Sequence, residues 1–270
     1  MAYVEDIYDI SNWCEHEYKF EGKTGKKGEK KSEKKKPTPE QMERVNQRNR
    51  EKQTTRLIRA NFTEGDYFLT IKYKRGEKVT PSRFKRDFKN FRECMRRLYL
   101  KAGEPFKYIF RMEIGRNGGA HIHLVTNKVD GITLADIQSK WKHGRINAQA
   151  LYDEGGYEEL AKYLRKKPEW TQNQQFTLFM EEGRRAWGYG TSKNLIRPQP
   201  KRKVFKRRTV EKMIRDGIAA KEGYRVMPES VEYGTNPFTG MSYLRYTEEK
   251  IKRADDSPPT IPEYAPPKVE

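Results

Sequence analysis

Residues 110–125 read Phe110-Arg111-Met112-Glu113-Ile114-Gly115-Arg116-Asn117-Gly118-Gly119-Ala120-His121-Ile122-His123-Leu124-Val125, two alternating runs on either side of an Arg-Asn-Gly-Gly corner. Such a pattern predicts a β-hairpin. Side chains alternate across a strand, so His121 and His123 share one side while Ile122 and Leu124 face a core. Glu113 has the matching parity on the partner strand. One face of the hairpin thus gathers a carboxylate and two imidazoles, which is a divalent-metal half-site. Histidines on a strand also occur as plain polar positions on a solvated face. Here the chain has only four histidines, and two of them stand at i and i+2 beside an acid, which favours ligation. His16 and His143 have no such company in the sequence.

Hydrophobic residues make up 34% of the 270 residues and charged residues 35%, so a sizeable part of the chain is expected outside any core. The formal net charge of +19 favours a polyanionic partner, nucleic acid first. Anionic lipid would attract the same charge. Against that, no apolar run approaches a spanning length, and residues 1–10 carry three acids and no basic stretch. The expectation is a soluble, cytoplasmic protein without a secretion signal or membrane partner. Cys14 and Cys94 are too few and too far apart for a disulfide framework or a cysteine-based zinc site.

The core is expected to begin at Tyr67-Phe68-Leu69-Thr70-Ile71-Lys72-Tyr73, a strand by its aromatic and β-branched content. Thr80-Pro81 opens a long helix whose Phe84, Phe88, Phe91, Met95, Leu98 and Tyr99 recur at threes and fours. The hairpin strands follow at 107–114 and 121–125, then a short helix at 133–141, a strand at 145–150 and a helix at 157–166 before Pro168. The order βαββαβα is the split, ferredoxin-like or RRM-like α+β layout, an antiparallel sheet with helices on one face and the other face open.

Tyr163 lies on the last helix. Leu160 and Leu164 anchor that helix, which turns Tyr163 away from the core with Lys166 and Lys167 beside it. A phenol near cations ionises more readily and then attacks phosphorus well. With sixteen tyrosines in the chain, packing is the competing role for any one of them.

With these pieces placed, the chain resembles the HUH endonucleases, and among them the rolling-circle replication initiators of small bacterial plasmids, phages and integrative elements. Phe68-Leu69-Thr70-Ile71-Lys72-Tyr73 is similar to that family's first strand motif. His121-Ile122-His123 is similar to its histidine–hydrophobe–histidine motif, and Tyr163-Leu164-Arg165-Lys166 to its Tyr-x-x-Lys motif. The resemblance covers about residues 66–170. It implies that His121 and His123, with Glu113 as third ligand, hold Mg2+ or Mn2+. It further implies that Tyr163 attacks a single-stranded or hairpin origin, leaving a 5′-phosphotyrosine and a free 3′-OH, and that Lys166 assists electrostatically. Some initiators use a second tyrosine one turn away. Tyr157 is six positions before Tyr163, about 600° around a helix, so a single-tyrosine enzyme is favoured, with Tyr157 as the alternative.

Around this core the expected division is linear. Residues 1–65 form an extension that includes a basic disordered segment at 22–36, with eight lysines against two glutamates, and a very polar helix to about residue 58 that packs weakly or touches DNA. Residues 66–170 form the endonuclease domain. Residues 171–256 form a basic, DNA-contacting region, and 257–270, with five prolines, a disordered tail. Within the third part, residues 184–195 mix Arg, Lys, Trp, Tyr and Gly, which suits either stacking on unpaired bases or a loop closing the sheet edge. Residues 1–20 and 221–250 receive no role. No phosphate-binding GxxxxGK pattern occurs, so unwinding would need a host helicase.

Two other readings remain open. A single-tyrosine transposase or a relaxase shares the chemistry, although the forty residues from His123 to Tyr163 favour an initiator. An RRM-like module would bind single strands without cutting, using Phe68, Tyr73, Tyr108 and Phe110 as stacking aromatics.

Overall fold

The hairpin lies at the centre of a five-stranded sheet in a computed structural model of the chain, which describes residues 3–21, 37–114, 119–152, 157–166, 188–236 and 238–251. The chain begins with β1 (Tyr3–Ile10) and β2 (Trp13–Phe20). Next come α1 (Pro39–Asn61), β3 (Tyr67–Tyr73), α2 (Pro81–Lys101), β4 (Tyr108–Ile114), β5 (Ala120–Thr126), α3 (Leu134–Ser139), β6 (Gly144–Ala150), α4 (Glu158–Arg165) and β7 (Tyr189–Thr191). It continues with β8 (Lys201–Phe205), α5 (Arg207–Asp216), β9 (Tyr224–Val226), β10 (Glu232–Thr235) and β11 (Ser242–Lys250). The chain divides into two units, Lys34–Gln199 and a second made of Met1–Glu33 with Pro200–Glu270.

In the central unit the strand order is β6-β3-β5-β4-β7, antiparallel throughout. Its first four members follow the split βαβ arrangement, so the α+β expectation holds. Thr80 caps α2 by accepting from Arg83 N, and Pro81 occupies the first turn. Phe84, Phe88, Phe91, Met95 and Tyr99 then line one side of α2, none more than 2% exposed. They pack on Leu69, Ile71, Tyr73, Tyr108, Met112, Ile122 and Leu124, the even face of β4 and β5 and the odd face of β3. Burying five such large side chains is the main force joining helix to sheet, roughly 2 kcal/mol each. The last strand, β7, adds to β4 at the sheet edge. Gly190 is required there, since a Cβ would stand 2.4 Å from the Phe110 ring.

The second face of the sheet is not open as expected. Leu57, Ile58 and Phe62 from the end of α1, with Tyr157, Ala161 and Leu164 around α4, cover Ile109 and Val125 there. The polar helix is therefore part of the fold rather than a weakly packed extension. Its first turns are exposed, and Thr38 and Gln41 close them with a reciprocal capping box. Burial is confined to the last two turns, where polar groups find partners: Thr54 Oγ1 donates to Tyr189 Oη at 3.1 Å, and Asn61 Nδ2 donates to Ile196 O at 2.8 Å. A short apolar patch at the end of a long helix leaves little periodic signal, yet it suffices to dock it. Tyr73, Tyr108 and Phe110 face α2, so of the four aromatics expected for base stacking only Phe68 lies on the opposite side.

The other unit differs from the linear division expected, because the two chain ends share one sheet of order β10-β11-β2-β1-β8, with β9 also on β11. Residues 1–20, which carried no readable role, are its central hairpin. Residues 221–250 supply β9, β10 and β11. Helix α5 covers one face through Val210, Met213 and Ile214 against Tyr3, Tyr18, Leu244 and Tyr246. Part of the basic run after Arg197 is the edge strand β8, whose Arg202 pairs with Asp6 and Glu21. The expected basic segment at 22–36 and the proline-rich tail lie outside the described residues. Among the described residues no helix is long and apolar enough to cross a membrane.

Candidate active site

On β4 and β5 the register pairs Glu113 with His121 and Arg111 with His123. All four side chains project from the α1–α4 side of the sheet, by the same alternation that sends Ile122 and Leu124 beneath α2. Glu113 Oε2 stands 3.6 Å from His121 Nε2 and 3.6 Å from His123 Nε2. The three ligand atoms lie within 4.8 Å of one another, a spacing that admits a cation about 2.1 Å from each donor.

Each imidazole is oriented by its other nitrogen. His121 Nδ1 donates to Gly119 O at 3.2 Å, which leaves the Nε2 lone pair facing Glu113. His123 Nδ1 lies 3.4 Å from Thr70 Oγ1, its cross-strand partner on β3. Phe68 stacks against the His123 ring, with centroids 5.7 Å apart and planes 5° from parallel. Burial is the main reason that the His123 pKa is lowered, with the neighbouring His121 and Arg111 acting in the same direction. Neutral imidazole is the form that binds metal. The Glu113 carboxyl is held far below the usual carboxylate range, first by His121 and then by His123, with Arg111 adding to them. The triad thus presents one negative charge and two neutral nitrogen donors at neutral pH.

Helix α4 brings Tyr163 to the same place. Its hydroxyl is 2.7 Å from His123 Nε2, and its ring stands edge-on to both His123 and Phe68. At 37% exposure the phenol remains accessible from solvent. Lys166 is the C-cap residue of α4, and its N–H bonds to Tyr163 O at 3.3 Å. Lys167 lies outside the described residues. Tyr157 takes a different position: it is 5% exposed within the apolar cluster under α1 and α4 and adopts a left-handed backbone at φ 64°. The structure therefore brings Glu113, His121, His123 and Tyr163 together and places Tyr157 in the core.

Two neighbours were missed from the sequence. Arg111 is 5% exposed, donates to Tyr163 O at 2.7 Å and approaches Glu113 Oε1 at 3.7 Å. Its parity with Glu113 was a usable signal. Phe68 was read only as a stacking aromatic, whereas it supports a histidine. Of the stretch 184–195, residues 184–187 lie outside the described residues. Tyr189 packs inward, with the Arg165 guanidinium 3.9 Å from its ring centroid, so this part closes the sheet edge rather than offering a free base platform.

Residues 66–168, the segment that contains four strands of the sheet and all four converging side chains, match a family model of replication-associated proteins, the ORF2 type. No curated protein and no solved structure matches the chain. By that match the central region is similar to replication-associated proteins, in keeping with a rolling-circle initiator type of protein.

Proposed function

We propose that the chain nicks and rejoins single-stranded DNA through Tyr163 and thereby initiates rolling-circle replication. The observation that carries this reading is the hydroxyl of Tyr163 at 2.7 Å from a histidine of a Glu–His–His cluster. Glu113, His121 and His123 would hold Mg2+ or Mn2+, and the fit rests on their donor types and mutual 3.6 Å spacing about Glu113. When bound, such a cation supplies Lewis-acid polarisation of the scissile phosphate.

The remaining work falls to the chain. In the attack, the Tyr163 Oη–phosphorus bond forms and the phosphorus–O3′ bond breaks. The product is a 5′-phosphotyrosine, and the proton lost by the phenol balances the one gained at the 3′ oxygen. The reverse reaction reseals the strand without ATP, because the phosphodiester energy is kept in the covalent link. His123 Nε2 has two uses that exclude each other: it can accept from Tyr163 or serve as a ligand. Tyr163 must release it before reacting. Arg111 keeps the Tyr163 backbone at the sheet during that change, and Phe68 excludes water from one side of His123. Lys166, at the end of α4, is assigned an electrostatic role toward the phosphate. A host helicase would do the unwinding.

The test is incubation of labelled single-stranded DNA that includes the element's own origin with Mn2+, comparing wild type, Tyr163→Phe and His121→Ala on a denaturing gel. A metal-dependent covalent adduct in wild type alone supports the proposal. Binding without an adduct would favour a non-cutting single-strand binder, and an adduct surviving Tyr163→Phe would place the nucleophile elsewhere.

A further inference from the structure

A second donor cluster lies in the sheet built from the chain ends. Cys14 and His16 on β2 share a face with Glu248 on β11, and Cys14 is the direct cross-strand partner of Glu248. Cys14 Sγ is 3.3 Å from His16 Nε2. Glu248 Oε2 is 3.5 Å from that same nitrogen, and all three donor atoms lie within 4.8 Å of one another. Tetrahedral Zn2+, with bonds of about 2.0–2.3 Å, sets its ligand atoms roughly 3.3–3.7 Å apart. Both distances to His16 fall in that range.

Two further observations point to a ligand. Glu248 is 2% exposed, and while its Oε1 accepts from Lys221 N at 3.2 Å, its Oε2 has no hydrogen-bond partner among the described residues. An ionised oxygen buried in this way is costly unless a cation meets it. The second observation concerns His16, whose Nδ1 lies 2.7 Å from Oε1 of Glu5, itself 3% exposed. An ionised carboxylate only accepts, so the proton sits on Nδ1 and the Nε2 lone pair is aimed at Cys14 and Glu248. That carboxylate–histidine relay is how metal-binding imidazoles are usually oriented. Tyr246 stacks on the ring at 4.6 Å and 11° and fixes its plane.

We propose that Cys14, His16 and Glu248 form a Zn2+ site that clips β2 to β11, with water in the fourth position and Glu5 as a positioning residue. Cys14 binds as the thiolate, its proton passing to solvent. A thiolate beside an imidazole selects Zn2+ over the hard cations suited to carboxylates and water. This site corrects the expectation from cysteine count and spacing, because its donors come from opposite ends of the chain.

Co2+ is a suitable probe, since only a thiolate ligand gives it a sulfur-to-metal charge-transfer band. Titrated into metal-free full-length protein, Co2+ is expected to produce that band at one equivalent, and Zn2+ to displace it. The band should vanish in Cys14→Ser and persist in Cys94→Ser and His121→Ala. Glu5→Gln should weaken Zn2+ binding about 10- to 100-fold. No band in wild type, or an undiminished band in Cys14→Ser, would overturn the proposal. Because replacing buried Cys14 can unfold the sheet, thermal melting of His121→Ala with and without Zn2+ provides a second readout. A rise in Tm supports the site, and an unchanged Tm overturns it.

Discussion

Arg111 reaches from the centre of β4 to donate a 2.7 Å hydrogen bond to the main-chain oxygen of Tyr163 on α4. The strand that carries Glu113 thus also holds the backbone of the proposed nucleophile. A guanidinium so buried must have its donors met, and here they are met by the helix carbonyl and by Glu113.

Replacing this contact tests whether it positions the phenol. Arg111→Met should leave single-strand affinity within a few-fold while slowing adduct formation on the order of 100-fold, the size expected when a reacting group is misplaced by about 1 Å. Single-turnover cleavage alongside fluorescence anisotropy separates the two effects. An equal loss in both would mean that Arg111 acts on DNA binding instead.

Glu113→Gln keeps the shape of the triad and removes its only negative charge. Mn2+ affinity should fall by about 100-fold or more, and the cleavage defect should be partly relieved by raising Mn2+, because the charge contributes through metal binding. Isothermal titration and a metal-dependence series of the adduct assay measure this. Wild-type metal affinity in the variant would remove Glu113 from the ligand set.

Helix α1 belongs to the central unit, so damage at its end should be felt as lost stability. Ile58, with no exposed surface, contacts the cluster over Ile109 and Val125. Ile58→Ala should cost about 2–5 kcal/mol by denaturant unfolding. Asn61→Ala removes the donor to Ile196 O and the acceptor for Ile196 N and should cost about 1–3 kcal/mol. Exposed Met42 at the other end of α1 should tolerate alanine within about 0.5 kcal/mol.

In the terminal unit, burial of Asp6 opposes its ionisation, but Arg202 and Lys19 outweigh burial and lower its pKa below the ordinary 3.8. A depressed carboxyl pKa contributes stability that is present above 3.8 and is lost as pH falls through the lower folded value. Asp6→Asn should therefore destabilise the protein by about 1–3 kcal/mol at pH 7, with the difference from wild type shrinking below pH 3.8. Denaturant melts at a series of pH values follow the gap. A gap that stays constant into acid would mean that the ion pairs contribute nothing.

Local rules determined much of this protein from sequence alone. Strand alternation put Glu113, His121 and His123 on one face, and the threes and fours of Phe84, Phe88, Phe91 and Met95 gave α2 its buried side. Both patterns repeat within a few residues, so they survive without knowledge of the rest of the chain. Tertiary structure decided which face of the sheet was covered, since two turns of α1 dock through Leu57 and Ile58 and leave no periodic trace. It also decided that Tyr163 meets His123 while Tyr157 is buried, because a short helix can present either residue depending on what its apolar side finds. The pairing of residues 3–20 with 201–205 and 242–250, and with it the meeting of Cys14, His16 and Glu248, depends on strand register between distant segments, and spacing along one chain carries no record of that register.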